Sequence, residues 1–174
     1  MVASTIHGVY GLAWSPDGRY VASSFANSIR VWDTTEKQGQ EMVQSLIGHE
    51  GSVTCLAWAP DGNAIVSAAK DSTVRLWSVT DGTQIFLYDH HERLDLNGAS
   101  FSYDGRLLAS SAWNDRWIHL WRRDNGDLKA TVDKSDADDC YALDFHPAKP
   151  VLATSSRLRN KITIWEMDMA LLLT

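Results

Sequence analysis

The chain has 174 residues, 44% hydrophobic and 22% charged, the balance of a globular domain that can bury a core and not of a disordered chain. Its net charge of −6 excludes a general phosphate-binding surface, so nucleic acid is not an expected partner. Two cysteines, Cys55 and Cys140, without CxxC spacing indicate neither a disulfide framework nor a zinc site, and no apolar run approaches the length of a membrane span.

The opening "MVASTIHGVYGLAW" lacks the basic and long apolar regions of a signal peptide, so the reducing cytoplasm is the expected compartment. From there the chain reads as strands. "GLAW" and "RYVASSF" flank Pro16-Asp17-Gly18, which supplies a fixed φ, a turn-favouring carboxylate and a permissive glycine; "NSIRVW" then ends on Trp32. In the second unit "SVTCLAW" alternates, "PDG" returns at 60–62, and "NAIVSAA" and "STVRLW" follow, split by the polar "KD". The weaker apolar "TQIFLYDH" comes after Trp77. The third unit repeats the cadence through "GASFSYDGRLLASSAWNDRWIHLW" and "DLKATVD". The fourth runs through "ALDFHPAKPVLATSSRLRNKITIW", with "MALLLT" expected as its outer strand. No segment carries a helical stripe, so the expected class is all-β.

These units keep register along the whole chain. The closing tryptophans are Trp32, Trp77, Trp121 and Trp165, at steps of 45, 44 and 44. The aromatics before the turn are Trp14, Trp58, Phe101 and Phe145, at steps of 44, 43 and 44. Four antiparallel strands in each unit of about 44 residues make the blade of a propeller. The chain is thus expected to be one domain, 1–174, of four blades at roughly 5–47, 48–90, 91–133 and 134–174.

The units resemble WD repeats, the second most fully, with Gly48-His49, "PDG" at 60–62, Ser67, Asp71 and Trp77. The resemblance implies a hydrogen-bonded chain of His49, Ser67, Asp71 and Trp77 that pins the strand connections. A buried indole N–H and a turn carboxylate each need a partner. The third unit keeps Asp115, Trp121 and a serine, Ser110 or Ser111, but has "DHHE" where Gly-His belongs. The fourth keeps Thr154 and Trp165 with Asn160 near the Asp position, and the first similarly has Asn27. Neither of these has a clear Gly-His.

The family usually closes with more blades than four, so four blades are expected to form a half-propeller arc. An arc leaves two blade faces bare, larger apolar patches than a soluble protein usually exposes. Either two copies close head-to-tail into an eight-bladed ring, or the chain is part of a longer protein that supplies the remaining blades. Ring closure by homodimerisation is the favoured expectation.

Other chemistry is weaker. Asp89-His90-His91-Glu92 looks like a metal cluster, but adjacent strand histidines point to opposite faces, and the loop is where the family's Gly-His falls; structural or solvated histidines are expected. "DKSDADD" at 133–139 lacks the Gly and closing Glu of a calcium loop. Cys55 and Cys140 read as small core residues. No nucleophile elbow or phosphate loop is present, so neither an enzyme nor a cofactor is expected. The resemblance implies a non-catalytic scaffold that binds a protein or peptide on the propeller's top face. Carried over position by position, that face comprises Tyr10, Ser52, Thr54, Lys70, Asp95, Asn97, Asn114, Asp139, Tyr141 and Arg159. The alternative is an architectural or sensory part of a larger protein, with no separate ligand.

Overall fold

Alternating side chains and short turns dictate antiparallel hairpins, and the computed structural model, which describes residues 8–35, 41–89, 91, 94–134, 140–156 and 160–173, is built from them. Its strands are β1 (Leu12–Trp14), β2 (Tyr20–Phe25), β3 (Ser28–Asp33) and β4 (Glu41–Ile47) in the first blade, and β5 (Val53–Trp58), β6 (Ala64–Ala69), β7 (Val74–Ser78) and β8 (Gln84–Tyr88) in the second. The third blade is β9 (Leu96–Phe101), β10 (Leu107–Ala112), β11 (Trp117–Arg122) and β12 (Leu128–Asp133); the fourth is β13 (Cys140–Phe145), β14 (Val151–Ser156) and β15 (Lys161–Glu166). Each blade is a meander in which sequential strands pair. The period extends to backbone detail, because the register shifts immediately before the closing tryptophan in the first three blades, at Val31/Trp32, Leu76/Trp77 and Leu120/Trp121.

One expectation fails at the C-terminal end. The "MALLLT" segment is not an outer strand: Met169–Leu172 forms the short helix α1, and the fourth sheet has three strands among the described residues. Met, Ala and Leu are strong helix formers with no β-branched residue among them. Asp168 caps the turn, its side chain accepting hydrogen bonds from the Ala170 and Leu171 amides.

The core lies between blades. Ile29, Val31 and Ala22 of the first blade meet Leu56, Trp58, Ile65 and Trp77 of the second. Val66, Leu76 and Tyr88 of the second meet Leu96, Phe101, Leu108 and Trp121 of the third. Ile118 and Leu120 of the third meet Cys140, Leu143, Phe145 and Leu152 of the fourth. Burying each such side chain is worth about 1.5–3 kcal/mol, so the junctions hold the arc together. Cys55 and Cys140 are free thiols inside it, and burial pushes both thiols up.

The arc is unclosed, and its two ends present faces of the same kind as its junctions. Leu12 and Trp14 are 64% and 59% exposed, whereas Leu56 and Trp58, one period later, are 6% and 8%. Ile162 and Ile164 are 71% and 60% exposed, whereas Ile29 and Val31 in the first blade are fully buried. The first blade's bare face thus exposes the residue classes that the second blade buries against the first, and the fourth blade's bare face exposes those that the first blade buries against the second.

Candidate functional site

Strand register brings the second blade's polar chain together. Ser67 pairs with Arg75 and Ile65 with Trp77, which puts Ser67 and Trp77 diagonally on one face of the β6–β7 hairpin. The Trp77 indole N–H donates to Ser67 Oγ at 2.8 Å, and the same oxygen lies 2.7 Å from His49 Nε2. His49 Nδ1 lies 2.8 Å from Asp71 Oδ2. Asp71 also accepts the Glu50 amide and, through its other oxygen, the Thr73 amide and hydroxyl. Burial alone would raise the Asp71 pKa, but the bonds from His49 and Thr73 hold it well below the usual carboxylate range. The loop after His49 passes so close that a Cβ on Gly51 would lie 2.5 Å from the Asp71 nitrogen, so only glycine fits.

The third blade carries the same chain, which the sequence pattern conceals. His91 takes the place of His49: its Nε2 lies 2.7 Å from Ser110 Oγ and its Nδ1 2.8 Å from Asp115 Oδ2. Trp121 donates to Ser110 at 2.8 Å. Ser110 is thus the chain's serine, while Ser111 donates to Asn97. In the first and fourth blades the described part of the chain is shorter, Trp32 to Ser23 at 2.9 Å and Trp165 to Thr154 at 3.0 Å. Asn27 instead reaches the His49 carbonyl of the next blade at 3.0 Å.

The rim residues expected to bind a partner fall into two groups. Tyr10, Lys70, Asp95, Asn114 and Tyr141 are exposed at one end of the inner strands, with Ser52 partly so. Lys70 Nζ stands 3.9 Å from Asp95, both about half exposed. Thr54 and Asn97 face the next blade: Thr54 Oγ1 donates to the Leu96 carbonyl at 2.6 Å and Asn97 Nδ2 to the Cys140 carbonyl. These two side chains fasten neighbouring blades. Asp139 and Arg159 lie outside the described residues, as do His90, Glu92 and most of the acidic 133–139 segment.

Sequence reasoning missed Trp113. Ser67 precedes Asp71 by four residues but Ser110 precedes Asp115 by five, so the third blade's turn is one residue longer. In the ladder the Trp113 amide bonds the Asp95 carbonyl as the Lys70 amide bonds that of Ser52. Trp113 therefore occupies the Lys70 position and Asn114 is the extra residue, with φ 57°. The Trp113 ring meets that of Tyr141 edge-on, with centroids 5.4 Å apart. The spacing difference was the available signal. At the opposite end a cavity of about 570 Å³ is lined by Arg106, Arg122 and Arg123. Arg122 pairs with Asp124, Arg123 with Asp61 and Arg106 with Asp104, so all three of these cations are already engaged.

A family model described as "WD domain, G-beta repeat" matches residues 3–33, 40–78 and 82–122. The chain belongs to the WD-repeat family. Among curated WD-repeat relatives, it is 33% identical over 121 residues to the F-box/WD repeat-containing protein sel-10 of Caenorhabditis elegans, covering 69% of this chain and 20% of that protein. It is 29% identical over 105 residues to a guanine nucleotide-binding protein subunit beta of Arabidopsis thaliana, covering 59% and 27%. The β-propeller domain of Cps50 (Swd1) from Myceliophteria thermophila superposes with a TM-score of 0.78 at 20% identity, over 93% of this chain and 54% of that one. A chain of the mitotic checkpoint complex superposes with a TM-score of 0.83 at 22% identity, over 97% and 53%. The WD-repeat arc thus spans about half of these propellers and a fifth to a quarter of these relatives. WD-repeat propellers are generally non-catalytic scaffolds for protein interaction. Among the described residues no helix is long and apolar enough to cross a membrane.

Proposed function

We propose that this chain is a non-catalytic WD-repeat scaffold that binds a protein or peptide across the rim formed by Tyr10, Ser52, Lys70, Asp95, Trp113, Asn114 and Tyr141. The observation that carries this reading is the Trp113–Tyr141 pair standing beside the half-exposed Lys70–Asp95 pair on one end of the inner strands. Rigid aromatics next to charges are the composition of binding hot spots. Panning a displayed peptide library tests it. Selected peptides should bind at least about tenfold more weakly to Tyr141→Ala and equally well to Asn63→Ala at the opposite end. Equal loss in both variants would count against the rim.

The bare ends extend the proposal. The first blade of one copy docks on the fourth blade of another, closing an eight-bladed ring through two junctions of the kind already inside the arc. Support comes from the matching residue classes, Leu12 and Trp14 against Ile162 and Ile164. A second reading is favoured by coverage: the chain spans about half of each solved propeller, so further blades of a longer protein can cover the same faces. In that reading the arc is architectural or sensory and binds no separate ligand. The free Cys55 and Cys140 fit a reducing cytoplasm.

A further inference from the structure

We propose that the third blade holds a divalent transition-metal ion of the zinc class, bound by His91, Asp115 and His119. This goes beyond the scaffold reading and does not depend on it. In the second blade the chain's carboxylate, Asp71, faces a guanidinium: Arg75 Nη2 lies 3.8 Å from it. Two residues before the closing tryptophan of the third blade, where the second has Arg75, stands His119. Its Nδ1 lies 4.0 Å from Asp115 Oδ2, and its ring meets that of His91 edge-on with centroids 4.3 Å apart. One donor atom from each of His91, Asp115 and His119 lies within 4.8 Å of the others, and the three side chains are buried together.

The spacing suits an ion. Donors held about 2.0–2.2 Å from zinc stand roughly 3.3–3.6 Å apart around a tetrahedron. His91 Nδ1 and Asp115 Oδ2 are now 2.8 Å apart and need to part slightly, while His119 needs to close from 4.0 Å. The two imidazole donors, within 4.8 Å of each other, need to close as well, so binding draws the His119 side chain in towards the other two. The surroundings already orient the donors as metal ligands are oriented. Ser110 Oγ sits 2.7 Å from His91 Nε2, where it can accept that ring's N–H and leave Nδ1 as the donor. The Trp117 amide fixes the other Asp115 oxygen at 2.9 Å. Two imidazoles with one carboxylate select zinc-class ions over Mg²⁺ and Ca²⁺, which prefer oxygen alone. Three protein donors leave a fourth position for water. The ion supplies beside Asp115 the positive charge that Arg75 supplies beside Asp71.

Calorimetric titration of the chelator-stripped chain with zinc chloride tests this. One ion per chain is expected, with binding at least about tenfold weaker in His119→Arg, which copies the second blade and leaves the Trp121–Ser110–His91–Asp115 chain intact. X-ray absorption of the wild-type chain at one equivalent of zinc should show two imidazole nitrogens and a carboxylate oxygen at about 2.0–2.2 Å. No saturable binding by the wild type, or unchanged binding by a folded His119→Arg, overturns the site. Should that variant fail to fold, a zinc shell lacking two imidazoles overturns it instead.

Discussion

His49 Nδ1 and Asp71 Oδ2 lie 2.8 Å apart in the second blade, and His91 and Asp115 repeat that contact at the same distance in the third. In each case the imidazole comes from the loop entering the blade and the carboxylate from the turn between its second and third strands. The contact therefore ties the start of a blade to its middle, and the serine and tryptophan beyond it carry the tie into the core.

Removing that carboxylate should be felt across the blade. Asp71→Ala leaves His49, 3% exposed, and the Glu50 and Thr73 amides without their acceptor. A cost of about 1–3 kcal/mol is expected in denaturant unfolding. Lys149→Ala, on an exposed turn, should change stability by less than about 0.5 kcal/mol. Equal effects would contradict the role given to Asp71.

Acid should expose the same contact. Asp71 has a folded pKa held below its unfolded value, and Asp33 is lowered to about 2 by hydrogen bonds from Thr35 and Arg19. A depressed carboxyl favours the folded state fully above the unfolded pKa of about 3.9 and loses that advantage as the pH falls towards the folded pKa. Unfolding free energy should thus decline below about pH 4–5, with a shallower decline in Asp71→Asn. Parallel wild-type and variant profiles would be the contrary result.

Gly51 offers a steric test. A methyl group there meets the Asp71 backbone nitrogen at 2.5 Å, and backbone cannot swing aside as a side chain can. Gly51→Ala should lower stability by about 1–3 kcal/mol, measured by thermal unfolding. A neutral outcome would mean the loop can lift without disturbing the polar chain.

The fastening role of Thr54 predicts a loss confined to one junction. Thr54→Val keeps the shape but removes the donor to the Leu96 and Ala68 carbonyls. About 1 kcal/mol should be lost, and hydrogen exchange should quicken in β5 and β9 more than in β13 and β14. Uniform exchange across the four blades would argue against a local fastener.

Much of the fold was legible because it is local. The 44-residue tryptophan register and the Pro-Asp-Gly turns specify hairpins before any long-range contact forms, and the blades follow. What stayed hidden depended on small departures from the period. His91 follows another histidine instead of a glycine, so the motif did not show although the contact is made. Trp113 reached the rim because one residue was added to a turn, which a comparison anchored on Asp115 cannot reveal. Thr54 and Asn97 looked like free rim side chains because their partners are backbone carbonyls of the adjacent blade, which no sequence pattern displays. Met169–Leu172 became helix because Asp168 caps it, a local cue that the expectation of a fourth strand left out of account.

Leu12, Trp14, Ile162 and Ile164 are exposed where their counterparts between blades are buried, and the proposed eight-bladed ring covers them. Multi-angle light scattering of the unmodified chain tests it most directly. Two copies joined through both ends should bury on the order of 1,500 Å² or more and give one species at twice the 19.4 kDa chain mass, stable on dilution into the micromolar range. Leu12→Asp or Ile164→Asp should convert that species to monomers or aggregates. A wild-type chain that stays monomeric and soluble at high concentration would show that four blades need no cover, and would contradict the account.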